Sequence, residues 1–146
     1  MFKLKKVIGL FAILPLPFLS FVTPIPDERL VAQRELSLLN RYGDLWVNEV
    51  FADNILLNLA YLRGTHTGRE VNWDEVKKPF EYSFRLDPNQ SFAYHDDVLP
   101  KYEGKIALTT NAHFNGSEGF RSSGYLFGDG VCHLASLMYM VAKNAG

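Results

Sequence analysis

An α+β fold is what this sequence predicts: N-terminal helices, a small mostly antiparallel sheet, and a C-terminal helix that begins at a glycine-rich turn carrying a cysteine. Three observations predict it. Apolar residues recur at helical spacing after Asp44 (Phe51, Ile55, Leu59, Leu62) and again after Val131 (Leu134, Leu137, Met138, Val141). Between these runs, Pro79 to Leu86 sets Phe80, Tyr82, Phe84 and Leu86 against Glu81, Ser83 and Arg85, the period-two pattern of a half-buried strand. Five glycines then fall between Asn111 and Gly130, dense enough to indicate turns and close backbone approach.

Taken in order, Lys3, Lys5 and Lys6 precede an uncharged run from Val7 to Val22, which exits through Thr23-Pro24-Ile25-Pro26. That is the order of a targeting segment. Sixteen residues at the helical rise reach about 24 Å, short of a hydrocarbon core of about 30 Å, and Pro15 and Pro17 interrupt the run. Residues 1–26 therefore read as a signal sequence or membrane anchor, and the remainder is expected to work outside the cytoplasm. Residues 27–43 carry Ala32, Leu36 and Leu39 on one stripe and are expected to form an amphipathic helix or linker that stops at Gly43. The domain proper spans 44–146. Its first helix opens at Asp44, is buried, and ends at Gly64 as the residue after the cap. Asn54 and Asn58, one turn apart on it, read as a polar face or as hydrogen-bond partners of a neighbouring loop, with a ligand contact as the alternative. His66 in the loop GTHTG is expected to be exposed. Asp87-Pro88-Asn89 makes a turn, and Ser91–Tyr94 and Gly104–Thr110 are further short strands. Asp129 is placed to cap the last helix.

The chain has 146 residues, 47% hydrophobic, with 15 Lys+Arg against 16 Asp+Glu. That suits one domain with a core, and a net charge of -1 offers no footprint for nucleic acid. A single cysteine, Cys132, excludes an internal disulfide and a thiol-only metal cage.

Chemistry centres on GDGVCHLAS. A thiol at a helix N-terminus, reached through a glycine turn, is the setting in which a thiolate becomes a usable nucleophile, although most free cysteines are small buried hydrophobes. His133 is a poor base for Cys132, because adjacent helical residues diverge by about 100°. His95 and His113 are the candidate bases, with Asp96 or Asp97 as orienters. Gly128, Asp129, Gly130, His133 and Tyr125 form the candidate binding residues around that thiol. Zinc on Cys132, His133, His95 and His113 lacks any close ligand spacing, so neither a metal nor another cofactor is expected. Tyr82, Tyr94, Tyr102 and Tyr125 are either core and rim packing or rings for stacking on sugars.

The stretch Gly119–Gly146, GFRSSGYLFGDGVCHLASLMYMVAKNAG, resembles the signature of the VanW-like proteins: a Gly-Tyr, a glycine turn ending in Gly-Val-Cys, and a small-residue helix closing on Ala-Gly. Asn54-Ile55, Gly64 and Pro88-Asn89-Gln90-Ser91-Phe92 follow the family order upstream, so the likeness covers roughly Asn48 to Gly146. His133 stands where the family has Gln, and Leu134-Ala135-Ser136-Leu137 where it has Thr-rich residues. The family continues past Ala145-Gly146 into strands that commonly hold a histidine, so this chain reads as a truncated domain. The resemblance implies a bacterial envelope protein associated with vancomycin-resistance clusters, with peptidoglycan or wall precursors as partners and the membrane met through the N-terminal segment. The Gly-x-Cys helix start is also similar, more distantly, to the cysteine turn of transglutaminase-like and papain-type enzymes. That likeness implies Cys132 as nucleophile, His95 or His113 as base, and backbone N–H groups as oxyanion donors.

Overall fold

The computed structural model describes residues 2–3, 30–95, 98–124 and 128–146. The elements are β1 (Phe2–Lys3), β2 (Gln33–Arg34), α1 (Leu45–Leu62), α2 (Trp73–Val76), β3 (Ser91–Ala93), a 3-10 turn at Pro100–Tyr102, β4 (Ile106–Thr109), a second 3-10 turn at Gly116–Glu118, and α3 (Val131–Ala145). Helices and a small sheet make an α+β fold, as the sequence predicts.

Helix α1 is the axis of the molecule. Asp44 caps it by accepting from the Trp46 N–H at 2.8 Å. Its far end closes with the Gly64 N–H on the Tyr61 carbonyl and the Thr65 N–H on the Ala60 carbonyl, the paired bonds of a Schellman ending. Thirteen of its eighteen residues are buried, so it is enclosed on nearly every side. One cluster gathers Leu57, Ala60 and Tyr61 with Val76, Ala112, Phe120 and Val131. A second gathers Ile55, Leu59 and Leu62 with Leu134, flanked by Phe80, Phe84, Phe92 and Leu108. Tyr94 packs against both. Ring contacts run from Tyr82 through Phe84, Phe92, Tyr94, Phe114, Phe120 and Tyr61 to His66, each pair with centroids 5.0–6.2 Å apart.

The sheet differs from expectation. β3 and β4 are parallel, pairing Phe92 with Leu108 and Ala93 with Thr109, and only the two-residue pair β1–β2 is antiparallel. The intervening chain turns through Pro100–Tyr102 before β4, giving the twelve-residue return that parallel strands require. Residues 79–86 form no ladder at all. Their alternation is nevertheless real, with Phe80, Tyr82 and Phe84 half-buried and Glu81, Ser83 and Arg85 exposed. The turn at 87–89 forms, with the Gln90 N–H on the Asp87 carbonyl at 3.0 Å.

Two further expectations are corrected. The helix expected over 27–43 is absent from its described part: residues 33–34 pair with β1, and Leu36 and Leu38, two apart, pack on the second cluster while Leu39 faces out. Of the expected stripe, Ala32 and Leu36 are half-buried and Leu39 is exposed, so the stripe does not meet the core as one face. His66 is buried rather than exposed, edge-on to Tyr61 with its Nε2 2.8 Å from the Gly68 carbonyl. The segment 4–29, including the expected signal or anchor, lies outside the described residues.

Candidate functional site

The turn before α3 is built from three successive residues with positive φ: Gly128 at +80°, Asp129 at +33° and Gly130 at +102°. Neither glycine has room for a side chain. A Cβ on Gly130 would lie 2.6 Å from the Phe51 carbonyl oxygen and 2.7 Å from its Cα, and one on Gly128 would lie 2.6 Å from the Cys132 Sγ. The turn therefore presses directly on the α1 backbone. Its bonds are local: the Val131 N–H donates to the Gly128 carbonyl at 2.7 Å, and the His133 and Leu134 N–H groups to the Gly130 carbonyl.

Asn54 holds this turn from below. Its Nδ2 donates to the Arg121 carbonyl at 2.8 Å and to the Asp129 carbonyl at 2.9 Å, while its Oδ1 accepts from the Arg121 N–H at 2.9 Å. Of the two sequence alternatives for Asn54, bonding to a neighbouring loop is the one found. Asn58, equally buried, meets no hydrogen-bond partner with either amide atom among the described residues. Beside Asn54, the buried Asp53 carboxylate pairs with Arg121 and, at 2.7 Å, with Lys77. Arg121 also lies over the Trp46 ring. These contacts tie both limbs of the 111–130 loop to α1.

Asp129 does not cap α3. It is buried, and its carboxylate turns back to accept from the Ser123 hydroxyl and, at 3.2 Å, the Ser123 N–H. Gly130 is the cap residue instead, with no side-chain bond. The left-handed backbone at Asp129 aims its side chain at the incoming limb rather than along the helix.

Cys132 is the second residue of α3 and is exposed. The half-buried Tyr94 phenol is held well above its ordinary range, by burial first and then by the charge of Cys132. Tyr94 O–H donates to the Met138 Sδ at 3.2 Å, and the Tyr82 O–H to the Leu62 carbonyl, so both tyrosines are half-buried residues packed against the core. Tyr102 remains exposed. The His133 ring meets Phe51 edge-on at 5.1 Å, and among the described residues its buried Nδ1 finds no hydrogen-bond partner. Burial, then the nearby Arg41 charge, lower its affinity for a proton.

The two candidate bases sit differently. His113 Nδ1 lies 2.9 Å from Glu118, whose carboxylate also accepts the His113 N–H at 2.8 Å. Burial opposes ionisation of Glu118, but hydrogen bonds from the His113 ring, the His113 N–H and the Asn115 N–H outweigh it and lower its pKa. Glu118 is thus an orienting carboxylate that the sequence did not single out. Its signal was present as Asn115-x-x-Glu118, the capping-box spacing that the structure uses. His95 packs its ring against Phe114, centroids 6.2 Å apart. Asp96, Asp97 and Tyr125 lie outside the described residues.

A polar hollow of about 180 Å³ opens at the turn, lined by Asn54, Phe114, Arg121, Ser122, Gly128 and Asp129. A larger apolar groove of about 530 Å³ lies between α1, α3 and the chain around Leu36 and Phe80, and Tyr82 lines it while none of the residues expected around Cys132 does. Among the described residues no three His, Cys, Asp or Glu side chains converge as a metal site would need, and no helix is long and apolar enough to cross a membrane. In comparisons with family models, curated proteins and solved structures, nothing matches the chain.

Proposed function

We propose that this chain is an extracytoplasmic bacterial envelope protein of the VanW type, accessory to peptidoglycan binding or remodelling, with the membrane met through its N-terminal segment. The observation that carries the reading is the turn itself. Of the residues on which the resemblance rests, Gly130 is closed to any side chain by the Phe51 backbone, and Gly128 is crowded by the Cys132 thiol. The exposed 3-10 turn with Tyr102 offers one ring for stacking on sugar. The test is cosedimentation of the full chain with purified sacculi. Retention above a control protein of equal size and charge is expected, and its absence removes wall binding.

A second reading is favoured by one specific observation, the exposure of Cys132 in the first turn of α3, next to Val131 and the polar hollow it lines. Here the chain is a cysteine-dependent acyl transferase or peptidase. The Cys132 Sγ attacks the carbonyl carbon of a wall peptide and forms a thioester. The leaving amine takes the proton that His95 or His113 has accepted from the thiol, and water or a second amine then releases the acyl group. Alkylation of native Cys132 across pH decides it. A rate that follows an ordinary thiol near about 8.5 ends the catalytic reading.

A further inference from the structure

Residues 79–86 alternate between half-buried and exposed yet join no sheet, and their backbone is bare. Among the described residues no N–H or carbonyl from Phe80 to Leu86 pairs with another backbone group, and no turn or bend interrupts that stretch. Side chains hold it in place instead. The Tyr82 O–H donates to the Leu62 carbonyl at 3.1 Å, the Arg63 guanidinium lies 3.7 Å from the centre of the Phe80 ring, and Phe84 stacks on Phe92. The segment is thus a fixed strand whose hydrogen-bonding groups are unused, the condition of an open sheet edge.

That edge borders the apolar groove. Residues of both parities line it, Phe80 and Tyr82 from the half-buried set and Glu81 and Ser83 from the exposed set, so the segment meets the groove along its edge and not by one face. The remaining walls are apolar: Leu36 and Leu38, Leu56 and Leu59 of α1, Leu134 and Leu137 of α3. A volume of about 530 Å³ falls within the range of about 300–1,000 Å³ typical of ligand pockets. One end is charged. Lys77 and Lys78 line the groove next to Pro79, where Asp53 and Glu75 pair with them. Because Asp53 also serves Arg121, one positive charge at that end is left without a carboxylate. Glu81, further along the wall, opposes an anion at its own position.

We propose that the groove takes an extended peptide, which adds as an antiparallel strand to residues 80–84. Its backbone pairs with the unused N–H and carbonyl groups, its alternate apolar side chains enter the groove, and its terminal carboxylate lies at Lys77. Antiparallel is the sense that brings a carboxyl end to the start of the segment, where the uncompensated charge stands.

The probe is a pool of fluorescein-labelled octapeptides with leucine, valine or phenylalanine at alternate positions, serine or threonine between them, and a free carboxyl end. Anisotropy of the pool is followed as full-length chain is added, and amide exchange of the chain is followed residue by residue with and without the pool. Expected are saturable binding and, from residue 80 to residue 84, a slowing of about tenfold or more at every second amide only, since one edge of a strand carries alternate N–H groups. Amidating the carboxyl end is expected to weaken binding by about threefold. No saturation up to about 1 mM peptide overturns the proposal, and so does saturation in which neighbouring amides slow alike or the slowing falls outside 80–84. Equal binding of the amidated pool overturns the antiparallel placement. Amides 80–84 that already exchange slowly in the dilute, peptide-free chain overturn the open edge itself. Alternate slowing that appears without peptide as the chain is concentrated assigns the edge to a second copy of the chain, and likewise overturns the proposal.

Discussion

Replacing Asn54 by alanine removes three hydrogen bonds at once: two that its amide donates, to Arg121 and Asp129, and one that it accepts from Arg121. Each partner is a main-chain group that loses its protein partner in a site that is 1% exposed at Asn54. At about 1 kcal/mol net per neutral bond the loss is about 3 kcal/mol, a large part of a total stability of about 5–15 kcal/mol. With a urea dependence of about 1.5 kcal/mol/M for a chain of this size, the unfolding midpoint falls by about 2 M. The assay is urea unfolding followed by near-ultraviolet circular dichroism. Asn54→Asp sharpens the experiment, because it keeps the shape and reverses the donors: a carboxylate would face two carbonyl oxygens. Its folded-state pKa is therefore raised above the unfolded value of about 3.9, since only the protonated acid can donate. Its stability is greatest below that unfolded pKa and is lost as pH rises through the folded one. An alanine variant within about 1 kcal/mol of the parent, or an aspartate variant whose deficit is the same at every pH, would refute the reasoning that this amide holds the turn.

Gly130→Val drives a side chain into the Phe51 backbone and is expected to cost at least about 2 kcal/mol in thermal or urea unfolding. Gly128→Ala meets a side chain instead, the Cys132 Sγ, so its cost is expected to shrink when combined with Cys132→Ala, and a double-mutant cycle with zero coupling would contradict that contact. Glu118 has a depressed folded-state pKa, so its contribution is present above its ordinary value of 4.5 and is lost as pH falls through the folded one; Glu118→Gln should flatten the acid limb of a melting-temperature profile. Tyr94 is raised, so its contribution is present below 10.0 and lost as pH rises beyond it, and Tyr94→Phe should lessen alkaline unfolding measured between about pH 9 and about pH 11.

Both long helices were legible because each carries enough apolar residues at helical spacing to define a face, and because Gly64 and the Gly128–Gly130 turn mark their ends. The burial of Phe80, Tyr82 and Phe84 was legible too, but not their lack of ladder bonds: a period of two tells which side meets the core, not whether the N–H groups find a strand. The direction of β3 and β4 was hidden for a related reason, since alternation reads the same forwards and backwards. The helix expected over 27–43 failed because Leu36 and Leu38, not Leu36 and Leu39, are the pair that packs. At the candidate site, the strained glycines follow from local pattern, whereas the exposure of Cys132 does not, because a helix-start thiol fits a buried small hydrophobe equally well. Asn54 and Asp53 do not follow from it either, because their partner Arg121 lies 67 and 68 residues away and no local rule selects one buried polar residue to hold a distant loop.

The ring contacts from Tyr82 to His66 pass through Tyr94 and Phe114, the links between the two hydrophobic clusters. Helices α1 and α3 each supply side chains to both clusters as well, so a disturbance in one cluster reaches the other through the rings and the helices together. Such an arrangement leaves no half that could survive alone, so amide exchange across α1, β4 and α3 should be governed by one common opening event rather than by a graded set of local ones.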